Sequence, residues 1–302
     1  MLRTPIDTAP VAANAIDGPL RAEAVAALMA PEARRWFDLR VVETTASTNS
    51  DLLRDAASLP SGSVLVTGEQ TAGRGRRGRV WIAPPGGSLA FSVLWKFAGN
   101  AAALSGLSLA VGIAVARVVE RHGALGIGLK WPNDLVALRG GAWRKAGGML
   151  IELTATDGAG SVGGATGGAT GGTTVAVIGV GLNLDLGAAA GQIDQPVTDL
   201  RTLGCAASRE ALLAEILVQL SIVLPAFALA GFAPLAAEWN QRHAWQGMAV
   251  SLVQNDQQPG TAIGTARGVA EDGALLIDTA AGVQRVLSGD LSLRIASTLP
   301  AV

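Results

Sequence analysis

With 302 residues, 49% of them hydrophobic and only 16% charged, the chain can bury enough surface for one large domain and a smaller one, which excludes global disorder. A formal net charge of −1 excludes a whole-chain electrostatic pull on nucleic acid or an anionic membrane, so any basic site is local. One cysteine, Cys205, and two distant histidines, His122 and His243, allow no internal disulfide, no ligand-spaced transition-metal set and no ready histidine triad.

Residues 1–37 read as a loose N-terminal arm in which only 20–29 is mildly helical, too short for a helix-turn-helix module. Met1 to Ala13 carries Arg3, Pro5, Asp7 and Pro10 with no apolar h-region, unlike a secretory signal, and with the lone cysteine this points to the cytoplasm. From Trp36 onward the pattern predicts a strand over 39–44, a helix over 48–57 capped from Ser47 or Thr48, and a buried strand over 63–67. An alternating strand at 88–97 precedes a long apolar helix at 101–122, with Leu104, Leu107, Ala110, Val111, Ala114 and Val118 on one face. Short strands follow at 125–131, ended by Trp131-Pro132, and at 134–138, 144–153 and 174–182. Between the last two, 155–173 holds a tandem GGAT-type repeat and reads as a flexible Gly-rich insert. Helices are expected at 208–229 and 233–243. The apolar runs 104–119 and 211–230 are interrupted by Ser105, Gly106 and Arg117, and by Glu215, Gln219 and Pro225, so no membrane span is expected.

After Trp245-Gln246-Gly247, five short strands at 248–253, 261–269, 274–279, 283–287 and 291–295, separated by turn residues, read as a small antiparallel barrel. Strands and helices mix without steady βαβ alternation, so the fold class is α+β. No GxGxxG opens a helix and no GxxxxGK[ST] exists, which disfavours the two common nucleotide folds.

Four segments carry chemistry. EQTAGRGRRGRVW at 69–81 gathers Arg74, Arg76, Arg77 and Arg79 around Gly73, Gly75 and Gly78, a trap for polyanions. Its like charges repel, so it is expected to be disordered until it closes over a phosphate-bearing ligand; an RGG-like RNA-binding element and a solvated charged turn are the competing readings. KWPND at 130–134 supplies an ammonium, an amide and a carboxylate able to hold Mg²⁺, or else a Pro-Asn-Asp turn. In RKAGGMLIE at 144–152, Lys145 precedes two glycines that let a ligand lie on the backbone, or an edge-strand bulge. Ser47-Thr48-Asn49 reads as a binding trio or a helix N-cap. Lysines number three against twenty arginines, so Lys130 and Lys145 hint at positions that need a compact ammonium.

Taken in order, ASTNSDLL at 46–53, EQTAGRGRRGRVW at 69–81, KWPNDL at 130–135, KAGGMLIEL at 145–153, VIGVGLNL at 177–184 and RGVAEDGALLI…VLSGDLSLR at 267–294 resemble the biotin–protein ligases over about 38–295. The resemblance implies a class II synthetase-like mixed β-sheet with flanking helices at 38–246 and a C-terminal SH3-like small β-barrel at 247–297. It implies ATP-dependent conversion of biotin to biotinyl-5′-AMP and transfer to a lysine of a biotin carboxyl carrier domain, as in acetyl-CoA carboxylase. Lys145, Arg76 and Lys130 would be catalytic. Ser47, Thr48, Asn49, Gln70, Arg74, Gly75, Arg76, Trp81 and Lys145 would bind biotin, and Arg79, Lys130, Asn133, Asn183 and Arg267 the nucleotide. ATP and Mg²⁺ would be the cofactors, with Asp134 at the metal. The stretch 187–198, where the family covers adenine with apolar and aromatic residues, has no aromatic here. A form without DNA binding, as monomer or homodimer, is expected. The rivals are a lipoate–protein ligase and a nucleic-acid-binding protein.

Overall fold

The computed structural model describes residues 19–82, 84–156, 172–253, 262–287 and 292–295. In chain order these form α1 (Ala22–Leu28), α2 (Pro31–Arg34), β1 (Asp38–Thr45), α3 (Thr48–Arg54), β2 (Ser63–Gln70), β3 (Ser88–Ala98), α4 (Leu107–Arg121), β4 (Ile127–Lys130), β5 (Asp134–Arg139), β6 (Ala142–Thr156) and β7 (Thr173–Asn183). Then come α5 (Arg209–Ala230), α6 (Ala236–Gln241), β8 (Ala249–Val253), β9 (Ala262–Val269), β10 (Leu275–Thr279), β11 (Gly282–Val286) and β12 (Ser292–Ile295).

The first seven strands make one mixed sheet in the order β1-β2-β3-β7-β6-β5-β4, with only β1 and β2 parallel. Side-chain alternation along each strand divides its residues between two faces. Val64, Val66, Val93, Trp95, Ala176 and Ile178 point toward α4 and α5 in the main core, whereas Leu65, Leu94, Val175 and Val177 meet Leu52 and Ala56 under α3. The sheet thus has a helical cover on both faces. Strands β8–β12 form a second, wholly antiparallel sheet in the order β11-β10-β9-β8-β12. It is pinned to the first by Trp131 Nε1–H donating to Gly273 O (3.1 Å), and by Asn240, whose amide donates to Val269 O (3.1 Å) and accepts from Val269 N–H (2.7 Å).

Three expectations need correction. The arm is not loose where it is described: Leu20, Val25, Met29 and Ala33 are buried in the main core, with α1 packed on α5, an anchor far away in sequence. The helix expected over 101–122 is interrupted. A 3₁₀ turn, Ala101–Leu104, ends at Ser105, and Gly106 takes φ +80° before α4 starts; a Cβ there would lie 2.7 Å from Phe232. The helix after α5 is likewise a 3₁₀ turn, Ala233–Leu235, running into the short α6. Segments 101–121 and 209–230 are long and apolar enough to cross a membrane, yet α4 is buried nearly all round between sheet and α5, which accounts for its composition. Most of the Gly-rich insert, 157–171, lies outside the described residues.

Candidate active site

A cleft open to solvent is bounded by the start of α3, the segment after β2, the β4–β5 turn, and the middle of β6 and β7. It has a neutral polar floor and a cationic mouth.

The floor follows from how α3 begins. Ser47 caps the helix, its hydroxyl accepting from Ser50 N–H (3.4 Å), so the N-cap reading holds for that residue. Capping turns Thr48 and Asn49 inward, where both are buried. Gln70 Oε1 accepts from Thr48 N–H (3.0 Å) and from its hydroxyl (3.3 Å), leaving the Gln70 amide protons for another acceptor. The Thr48 hydroxyl lies 2.7 Å from Ser92 Oγ, and Ser92 donates to Asn49 Oδ1 (2.5 Å). Asn49 donates both amide protons inside the protein, to Leu150 O (3.2 Å) and Glu152 Oε2 (2.9 Å), so toward a ligand it can only accept. This packing requires Gly179, where a Cβ would fall 2.4 Å from Asn49 Oδ1.

The mouth is built around Asp134. Its Oδ1 is 2.7 Å from Lys145 Nζ and its Oδ2 is 3.8 Å from Lys130 Nζ. Burial pushes the Asp134 pKa up, but Lys145, Lys130, the hydrogen bond from Lys145 and Arg76 together outweigh it and hold the carboxyl below the usual carboxylate range. Lys130 lies 4.6 Å above the Trp245 ring, within cation–π range. Asn133 is fixed by donating to Met149 O (2.7 Å), and its Oδ1 is 3.5 Å from Arg76 Nη1, a marginal contact. Lys145 stands at a register shift between β5 and β6, so the bulge foreseen for it exists, but on an inner strand of the sheet. Gly148 lets its side chain lie across the backbone, since a Cβ there would be 3.2 Å from Lys145 Nζ.

The arginine segment forms a tongue along the cleft. Gly75 N–H donates to Arg79 O (2.7 Å) and Trp81 N–H to Gly73 O (2.8 Å), around a 3₁₀ turn, Arg76–Gly78. The like charges are tolerated because carboxylates from other strands meet them: Glu152 binds Arg74 at 3.0 Å, and Asp134 feels Arg76. Gly75, Arg76, Arg77 and Arg79 line the cleft. Trp81 forms a wall, its ring lying where a Gly181 Cβ would be (2.6 Å), with Lys145 Nζ 5.7 Å from its centroid. The Trp81 indole N–H is buried without a hydrogen-bond partner, a donor available to a bound group.

Two predicted residues are elsewhere. Asn183 is buried and donates to Lys145 O (3.2 Å) and Thr198 O (3.0 Å), holding the backbone of Lys145. Arg267 is 58% exposed on β9, paired with Asp278 at 3.1 Å, and does not line the cleft. Asp134 is a poor Mg²⁺ ligand, because ammonium groups face both its oxygens; among the described residues no cluster of three His, Cys, Asp or Glu could hold a metal. The aromatic-free stretch 187–198 nonetheless reaches the site: Lys145 N–H donates to Pro196 O and Thr198 N–H to Lys145 O (2.9 Å each), and Gln195 lines the cleft. Sequence reasoning missed Ser92, Glu152, Gln195 and Trp245. Only the Gly-x-Gly of VIGVGLNL offered a local signal, of a strand that a bulky neighbour approaches closely.

The sequence matches the biotin/lipoate A/B protein ligase family over residues 40–165 and the biotin protein ligase C-terminal domain over 258–294. The first of these defines the class, ligases that attach biotin or lipoate to protein. It is 34% identical over 258 residues to the bifunctional ligase/repressor BirA of Salmonella typhimurium, covering 85% of this chain and 74% of that one. Identity is also 34% over 265 residues to the biotin–[acetyl-CoA-carboxylase] ligase of Mycobacterium tuberculosis, covering 85% and 89%. The structure of the Aquifex aeolicus biotin protein ligase in complex with biotin and ATP superposes with a TM-score of 0.68 at 27% identity, over 86% of this chain and 99% of that one. This chain belongs to the biotin protein ligase family.

Proposed function

We infer that the cleft condenses biotin with ATP and passes the biotinyl group to a lysine on a biotin carboxyl carrier domain of a biotin-dependent carboxylase. In the first step a biotin carboxylate oxygen attacks the α-phosphorus and pyrophosphate leaves; in the second the lysine amine attacks the acyl carbon, an amide forms and AMP leaves with the amine's proton lost to solvent. The observation that carries this reading is one cleft joining a neutral polar floor of Thr48, Asn49 and Gln70 to a mouth held by Lys130, Lys145 and Arg76.

A ureido ring offers two N–H donors and one carbonyl acceptor. Asn49 Oδ1 suits the former, and the Gln70 amide and Ser47 hydroxyl the latter. A carboxylate meeting a phosphate brings anion against anion, so fixed cations must screen the encounter and hold the charge of the transition state. Lys145 and Arg76 would do this, with Lys130 and Arg79 on the phosphates, Asn133 near the nucleotide, and Arg74, Gly75 and Trp81 closing the biotin end. Magnesium enters as the counterion ATP carries on its own phosphates; no step is assigned to it through Asp134. A covered cleft also keeps the mixed anhydride from water. A single buried thiol, Cys205, fits a cytoplasmic setting.

Exchange of labelled pyrophosphate into ATP tests the reading. Biotin should support exchange and lipoate should not, and the reverse would reassign the cleft to lipoate. Salt-dependent nucleic-acid binding without exchange would turn the tongue into an RNA- or DNA-binding element.

A further inference from the structure

Glu152, which has no role in the reaction as assigned above, touches both halves of the site. Its Oε2 accepts from the buried Asn49 amide (2.9 Å), and both its oxygens accept from Arg74 Nη2 (3.1 and 3.0 Å) at the base of the tongue. It sits in the middle of β6, paired opposite Val177 of β7, so its backbone is rigid. We propose that Glu152 is a positioning residue for biotin: it turns the carbonyl of Asn49 toward the ligand and tethers the tongue above it.

The first half follows from counting donors. A carboxylate has no proton to give, so the Asn49 group facing Glu152 must be the amide, which leaves Oδ1 facing Ser92 and the cleft. Neutralise Glu152 as glutamine, and its amide can face Asn49 in either sense; of the two acceptors that direct the asparagine amide, Leu150 O then remains alone and the side chain is held less firmly. The second half follows from charge. Arg74 is held by this carboxylate at 3.0 Å, and it stands two residues before Arg76. Without that anchor the tongue keeps its internal hydrogen bonds but loses this tie to β6. Because the same carboxylate serves both, the floor and the tongue hold each other in register. The biotin half of this inference rests on the proposed function; the tether does not.

Two measurements on Glu152→Gln test it. In the unliganded protein, hydrogen exchange at the Gly75 and Trp81 amides should quicken roughly tenfold while β6 and β7 amides keep their protection, a local opening rather than a loss of fold. In the pyrophosphate-exchange assay KM for biotin should rise about five- to tenfold with kcat within twofold, the mark of lost binding shared by ground and transition states. Unchanged tongue exchange, or an unchanged biotin KM, overturns the assignment. Should the wild-type chain activate no biotin at all, the proposed function fails, and hydrogen exchange alone then decides the tether.

Discussion

Lys145 Nζ and Asp134 Oδ1 are 2.7 Å apart, and Lys130 flanks the other carboxylate oxygen at 3.8 Å, so one half-buried anion holds two ammonium groups at the mouth of the cleft. The resting site therefore keeps its lysines aimed by a carboxylate that an incoming anionic ligand can share. Replacing Lys145 with alanine removes the better placed of the two and leaves Asp134 to repel the substrates. Loss of one preorganised charge donor at a transition state is worth about 10²–10³ in rate. Lys145→Ala should lower biotin-dependent pyrophosphate exchange by that order; exchange within a few-fold of wild type would remove Lys145 from the reaction.

Arg76→Gly addresses the roof. The tongue is closed by backbone bonds, Gly75 N–H to Arg79 O and Trp81 N–H to Gly73 O, which this substitution leaves in place. What disappears is a guanidinium over the cleft, 3.5 Å from Asn133 Oδ1. The variant should still form the adenylate but release it at least tenfold faster, as followed by stopped-flow fluorescence or by free biotinyl-AMP in solution. An unchanged dissociation rate would mean that Arg76 does not cover the bound intermediate.

Gly181→Ala should damage the site without charge chemistry. The new methyl carbon would sit 2.6 Å from the Trp81 ring, far inside contact distance, so the indole must move. Since β7 lies at the sheet centre, Trp81 yields rather than the strand. We expect a shift in tryptophan fluorescence, weaker ligand binding by about tenfold in calorimetry, and a cooperative melt. Binding equal to wild type would show that Trp81 is not part of the ligand wall.

How far the sequence reached depends on distance along the chain. The strands were readable because β-branched alternation is local, and so was the Ser47 cap. The break at Gly106 was not, since an Ala- and Leu-rich run favours a continuous helix, and its other glycine, Gly112, does sit inside α4; Phe232, and Gly273 close against the Gly106 backbone, decide otherwise. In the site, glycines and cations announced themselves, whereas the carboxylates that organise them did not. Counting arginines in one window shows only their mutual repulsion; the carboxylates that offset it, Glu152 and Asp134, arrive from β6 and β5. Trp245 under Lys130 is equally non-local, brought there because residues 242–244 bond to Leu129 on the edge strand β4.

That edge carries a pH dependence. His243 is buried beside Trp239, with ring centroids 4.7 Å apart; Nδ1 meets Gln246 Oε1 at 3.2 Å, and Nε2 is buried without a partner. Burial pushes its pKa from 6.5 down to about 4, against a smaller upward pull from Gln246. Between those values the unfolded chain binds a proton that the native protein refuses. Stability from this residue is therefore complete above about pH 6.5, falls as pH drops toward 4, and levels off below; the size is about 3 kcal/mol at roughly 1.4 kcal/mol per pKa unit. Asp134 and Glu238, both held below the usual carboxylate range, lose their contributions at lower pH still. His243→Phe keeps the ring packing and removes the titration. In urea unfolding between pH 7 and 4.5, the wild-type protein should lose stability relative to this variant by most of that amount, beginning near pH 6.5. Parallel curves for the two proteins across the window would show that His243 titrates normally and that its burial costs the acid-treated protein nothing.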